Sequence, residues 1–144
     1  RREVGLGPGG RERDLGPERV PYMWPFRTLL DSGATLAFGT DSPVTDIDPI
    51  DAVYTAVTRR DADTHEPLGG WLPEERITLA EALRAYTAGS AAAAQRADEL
   101  GQLAPGMFAD ITVLFPNPFE LAPDDLQQAK VQATYVAGKK AYEQ

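Results

Sequence analysis

The hydrophobic period of the chain changes once, at Gly101, and that change restricts the folds open to it. Before Gly101 apolar residues recur at helical spacing; after it they alternate. The stretch Met23 to Ser32 reads as a short helix with Phe26, Leu29 and Leu30 on one face, closed by Gly33. Ile50, Val53, Tyr54 and Val57 follow the i, i+3, i+4, i+7 pattern, with Asp48, Pro49 and Asp51 suited to a helix start. Thr78 and Glu81 form a capping box, because hydroxyl and carboxylate can each satisfy the other's exposed backbone N–H. The helix they open buries Leu79, Ala82, Leu83 and Tyr86, breaks at Gly89-Ser90, and resumes from Ala91 to about Glu99.

Only one run in this helical part is strand-like. Ala34 to Phe38 is short and apolar, and Gly39-Thr40-Asp41-Ser42-Pro43 halts it. Such a run predicts a buried strand of a parallel sheet covered on both faces, hence an α/β class. After Gly101 the expectations are a type II turn at Pro105-Gly106, a strand over 110–115 and a helical turn over 124–129. A hairpin of Val131 to Val136 with Lys139 to Tyr142 turns about Ala137-Gly138. Three units result: a flexible segment over 1–19, an α/β part over 20–100 and an all-β part over 101–144. One parallel strand makes no sheet and three strands cannot cover themselves, so neither structured part is complete alone.

Charge and composition exclude several functions. The net charge is −8, and after the first twenty residues nine basic side chains face eighteen acidic ones. An acidic body repels phosphate backbones, so nucleic acid is not an expected partner. No apolar run approaches the ~18 residues of a membrane span and no signal-peptide pattern opens the chain, so a cytoplasmic protein with no membrane partner is expected. Zero cysteines remove disulfides and thiolate chemistry, and one histidine is too few for a histidine-based metal centre. The chain opens on Arg1 and its first methionine is Met23, so a piece of a longer protein is expected.

Chemistry concentrates on Asp41. An aspartate just past the C-terminal end of a buried strand stands where barrel enzymes place catalytic groups. Such a carboxylate suits a divalent metal, or takes a proton from a hydrolytic water. The bland alternative is a turn-capping aspartate. A carboxylate-only glycosidase pairing Asp41 with Asp46 or Asp48 is a further, weaker alternative, since capping and turn chemistry already explain those two.

The succession LLDSGATLAFGTDSPV, DPIDAVYTAVTR, ITLAEALRAYTAGSAAAA and ELGQLAPGMFADITVL resembles the C-terminal third of the metal-dependent amidohydrolase superfamily, specifically amidohydrolase family 3. The likeness runs from about Pro21 to Gly138. It implies the C-terminal fragment of a (β/α)8 TIM barrel, with Ala34 to Phe38 as the eighth strand and residues 49–60 and 78–99 as following helices. Residues 102–144 would be the C-terminal strands of a small β-sandwich. By the same resemblance Asp41 is the strand-eight metal ligand or general base, and Ser42, Pro43 and Val44 shape the substrate pocket. Arg59 is implied to be structural, in a surface or helix-end ion pair, and Asp110 to be structural at a strand start. Met107 stands where the family commonly has lysine.

The resemblance implies a parent that hydrolyses an amide-type C–N bond of a small molecule with a divalent metal, zinc in expectation. The family's histidine and bridging ligands have no counterpart here, and His65 reads as a solvent-facing loop residue. The isolated chain is therefore expected to be inactive and to hold no metal tightly. The alternative is a non-catalytic regulatory or interaction module that kept an amidohydrolase fold. Unpaired apolar faces at Leu36, Phe38, Val53 and Val57 predict self-association, such as a swapped dimer.

Overall fold

In the computed structural model, which describes residues 11–144, short helical segments precede a three-stranded antiparallel sheet. The helices are α1 (Arg11–Leu15), α2 (Phe26–Asp31), α3 (Ile50–Thr58), α4 (Leu79–Arg84) and α5 (Ser90–Ala93). The strands are β1 (Ile111–Phe115), β2 (Lys130–Val136) and β3 (Lys139–Glu143), in the order β1-β2-β3. The flexible segment expected over 1–19 lies outside the described residues up to position 10. Beyond that, Arg11–Leu15 form α1, and the Gly16 carbonyl accepts from the N–H groups of Arg19 and Val20.

The core lies between α3 and α4. Val53, Ala56, Ile77 and Ala82 are buried there, and Phe26, Leu30, Leu36, Phe38, Val57, Leu79, Leu83 and Tyr86 pack around them. Full burial of a Val, Leu or Phe side chain is worth roughly 1.5–3 kcal/mol, so this cluster carries much of the stability of the helical part. Val53 is thus covered within the chain, contrary to the expectation that it lies unpaired. Leu29 is also reassigned: it is exposed, and Phe26 and Leu30 alone face the core from α2. Asp48 does start α3, since its carboxylate accepts from Ile50 N–H at 2.9 Å, although Pro49 occupies the boundary position.

The capping box forms as the sequence predicts, the Thr78 hydroxyl accepting from Glu81 N–H and the Glu81 carboxylate from Thr78 N–H. The predicted break at Gly89-Ser90 does not form. A π-helical segment, Ala85–Gly89, joins α4 to α5 without interruption, and the helix ends at Ala93, well before the expected Glu99. Gly89 is there for contact rather than for a break: a β-carbon on it would overlap the Leu36 carbonyl oxygen.

Ala34 to Phe38 is neither helix nor strand and belongs to no sheet among the described residues. It is not a doubly covered strand either: only Leu36 and Phe38 are half-buried, while Ala34, Thr35 and Ala37 are exposed. A parallel sheet needs neighbouring strands, and within the described residues the segment leans on helix alone. The described sheet is antiparallel throughout.

The final third matches its pattern closely. Met107 N–H donates to Ala104 O with Gly106 at φ +91°, the type II turn expected at Pro105-Gly106. Ala137 and Gly138, both at positive φ, make the tight turn between β2 and β3. Asp110 is structural in a specific way, its carboxylate accepting from Ala137 N–H at 2.7 Å and so tying the start of β1 to that turn. A 3-10 helix, Pro123–Gln128, packs Leu126 and the following Ala129 into the protein, against α3. Every residue of β3 is exposed.

Candidate active-site loop

Phe38 is the best-held residue before the loop. Its N–H donates to Ala85 O at 3.1 Å, and its carbonyl accepts from the Ser90 hydroxyl at 2.8 Å. Its ring lies 5.0 Å from Phe26 and meets Tyr86 edge-on at 5.6 Å. Three residues later the chain reaches Asp41, at φ +54° in the left-handed region that aspartate tolerates better than most residues. Val44 N–H closes the turn onto Asp41 O at 2.8 Å, and the Thr45 hydroxyl donates to Thr40 O.

Asp41, Ser42, Pro43 and Val44 therefore lie together on one exposed turn. The Asp41 carboxylate accepts no hydrogen bond among the described residues, so its oxygens are open to an outside partner. The other two aspartates of this region are engaged. Asp46 accepts from Ile47 N–H and Asp48 from Ile50 N–H, the local turn and capping roles expected of them.

Arg59 is placed differently from the expectation. It is 1% exposed and makes no ion pair among the described residues; at φ +59° it ends α3 and turns its side chain inward. The guanidinium donates to Trp71 O at 3.0 Å and Trp24 O at 3.3 Å, with its carbon 5.5 Å from the Phe26 ring and 5.4 Å from the Trp71 ring. Burial lowers its pKa, while the charges of Glu75 and Glu74 pull the other way. Burial also opposes ionisation of Glu75, but the Thr28 hydroxyl and amide, the Arg27 amide and the Arg59 charge outweigh it and hold the carboxyl below its ordinary range.

Sequence pattern alone missed three of these residues. Arg59 and Glu75 join segments far apart in the chain, which no local period reports. Ser90 follows Gly89, and a glycine in a helical pattern reads as a break, which hides the close backbone approach found there. His65 is exposed as expected, yet held: its Nε2 is 3.0 Å from Gln127 Oε1 and its ring 5.3 Å from Tyr54.

Among the described residues no three His, Cys, Asp or Glu side chains are grouped to hold a metal ion. Asp41 is a single carboxylate, and His65 is committed to Gln127. These residues do not by themselves fit a metal centre, and further donors would have to come from outside them. Among the described residues, no helix is long and apolar enough to cross a membrane.

The loop and its supporting helix can be set against known proteins. A profile of the amidohydrolase family matches residues 5–142. This chain belongs to the amidohydrolase family. It is 40% identical over 131 residues to Protein LONG AFTER FAR-RED 3 of Arabidopsis thaliana, covering 90% of this chain and 22% of that protein. It is 32% identical over 130 residues to a putative amidohydrolase, YtcJ, of Bacillus subtilis strain 168, covering 90% of this chain and 24% of the relative. An N-substituted formamide deformylase from Arthrobacter pascens is 35% identical over 121 residues, covering 84% and 22% respectively. The chain thus spans less than a quarter of the length of these relatives. A crystal structure of an amidohydrolase from Thermotoga maritima MSB8 shares the fold with a TM-score of 0.56, over 85% of this chain and 26% of its own, at 22% identity.

Proposed function

We propose that this amidohydrolase-family chain is the C-terminal part of a cytoplasmic hydrolase that cleaves an amide-type C–N bond of a small molecule. Residues 20–100 would supply the last strand and following helices of a TIM barrel, and residues 101–144 strands of a composite β-sandwich. The observation that carries the reading is the Asp41 turn: an uncommitted carboxylate, exposed three residues past the anchored Phe38, in a chain of this family.

In that role Asp41 takes a proton from the water that attacks the carbonyl carbon, and returns it to the nitrogen as the C–N bond breaks. Ser42, Pro43 and Val44, on the same turn, border the substrate. A bound divalent metal, zinc in our reading, would polarise the carbonyl and the water, with Asp41 as one donor and the rest from elsewhere in the longer protein. The relative named for N-substituted formamides suggests the first substrates to try.

The complete protein that carries this chain should hydrolyse members of a panel of N-substituted formamides, N-acyl amines and cyclic amides. Asp41→Asn should lower kcat by 100-fold or more without changing the melting temperature, because an amide cannot accept the water's proton. The 144-residue chain alone should be inactive, retaining no zinc after dialysis. Wild-type activity in Asp41→Asn refutes the assignment. Absence of hydrolysis and of metal in the complete protein would instead favour a non-catalytic module.

A further inference from the structure

The segment leading to Asp41 and the π-helical segment touch at four points. Gly89 lies so close to the Leu36 carbonyl that only a residue without a β-carbon fits. Ala85 O accepts from Phe38 N–H at 3.1 Å, and the Ser90 hydroxyl lies 2.8 Å from Phe38 O and 2.9 Å from Ala85 O. The Phe38 and Tyr86 rings meet edge-on at 5.6 Å. A regular α-helix commits each carbonyl to the amide four residues on. The wider π turn alters that pairing, and such turns are often found at functional sites.

The far side of the same turn is equally close-packed. A β-carbon on Gly101, at φ +85°, would come within 2.8 Å of Ala88 Cα, Ala91 Cβ and Thr87 O. The turn is thus wedged between the chain at Gly101 and the backbone of Leu36 to Phe38. Asp41 itself makes no side-chain hydrogen bond among the described residues. Its position is set from behind, through the main chain that Phe38 anchors.

We infer that the π turn with Ser90 is a positioning element for Asp41, and that Gly89 and Ser90 are positioning residues, which hold the main chain of Leu36 to Phe38 so that the carboxylate three residues later is presented in one place. The inference rests on the hydrolase reading of Asp41. A carboxylate displaced by a fraction of an ångström still binds but transfers its proton poorly, so the effect belongs in kcat rather than in KM. The Ser90 hydroxyl is the separable part, because removing it leaves the helix and the Gly89 contact in place.

The test is made on the complete protein with the most active substrate of the amide panel. Ser90→Ala is expected to lower kcat about tenfold with KM within twofold. Ser90→Thr, which keeps the hydroxyl, should restore most of that loss, and Ser90→Cys, which keeps the volume with a weaker donor, should follow Ser90→Ala. Unchanged kcat in both Ser90→Ala and Ser90→Cys overturns the positioning role while leaving Asp41 untouched, and so does a kcat loss that Ser90→Thr shares. Full activity in Asp41→Asn, measured alongside, defeats the underlying hydrolase reading instead. If Ser90→Ala does not fold, Ser90→Cys against Ser90→Thr decides the matter.

Discussion

The helical part and the sheet use apolar residues in opposite ways. In the helical part Val53, Ala56, Ile77 and Ala82 are each at most 3% exposed. In the sheet Val113, Phe115, Val136 and Tyr142 are each more than 40% exposed, and Ala133 is the one buried strand residue among those described. Local pairing is good in both: β1, β2 and β3 form a regular ladder with one irregularity in each pair. The difference lies in what covers the faces. Two amphipathic helices and an aromatic cluster close on each other, whereas a three-stranded sheet has two faces and nothing here to lie on both.

The largest effect that probes this contrast is at Arg59. Its guanidinium is the donor for the carbonyls of Trp71 and Trp24 and lies against two rings, so it joins α3 to the segments before α2 and after the 61–70 loop. Arg59→Met keeps the bulk but removes the charged donor to the Trp71 carbonyl from a buried site, and should cost on the order of 3 kcal/mol. Chemical denaturation of the 144-residue chain measures it. A loss below about 1 kcal/mol would mean that the helical interior is not held by this arginine and resembles the sheet more than the burial indicates.

A matched pair of valines gives the next effect. Val53→Ala removes two methyl groups from a 3%-exposed site and should destabilise the chain by about 2 kcal/mol. Val113→Ala makes the same change at 42% exposure and should cost less than about 0.5 kcal/mol. In the complete protein the proposed sandwich would cover β1, and there the cost at Val113 should rise toward that at Val53. Equal costs in both contexts would show that the open sheet is the finished one, against the proposed sandwich.

What was legible in the sequence follows the same divide between local and distant interactions. The Thr78–Glu81 capping box, the Pro105-Gly106 turn and the Ala137-Gly138 hairpin each need residues within four positions, and all are present. Asp41 was placed on its turn by the same local logic. The interior position of Arg59 was not legible, because its acceptors are 12 and 35 residues away. Nor was the π turn: Gly89 reads as a helix breaker until the Leu36 carbonyl that occupies its missing side chain's place is known. Ala34 to Phe38 has the composition of a doubly covered strand, but a sheet needs neighbouring strands, and the described residues place none beside it.

Acid should separate the two parts by a smaller margin. Burial works against the Glu75 carboxylate, yet the bonds from Thr28 and Arg27 and the Arg59 charge lower its pKa from 4.5. The Thr78 amide, followed by Arg27, does the same for Glu81, against a smaller opposing effect of burial. A carboxyl whose folded pKa is depressed contributes stability above its unfolded value and loses it as pH falls through the folded one. Both groups are in the helical part, as are both tryptophans, Trp24 and Trp71, so tryptophan fluorescence reports that part selectively. On titration from neutral pH to below 4.5, fluorescence should change before the β1–β2 amides lose their protection from exchange. Glu75→Gln should flatten the acid limb of stability, since its amide does not titrate. If the sheet amides exchange first, the open sheet rather than these two carboxylates limits stability in acid, and the contrast drawn from burial fails there.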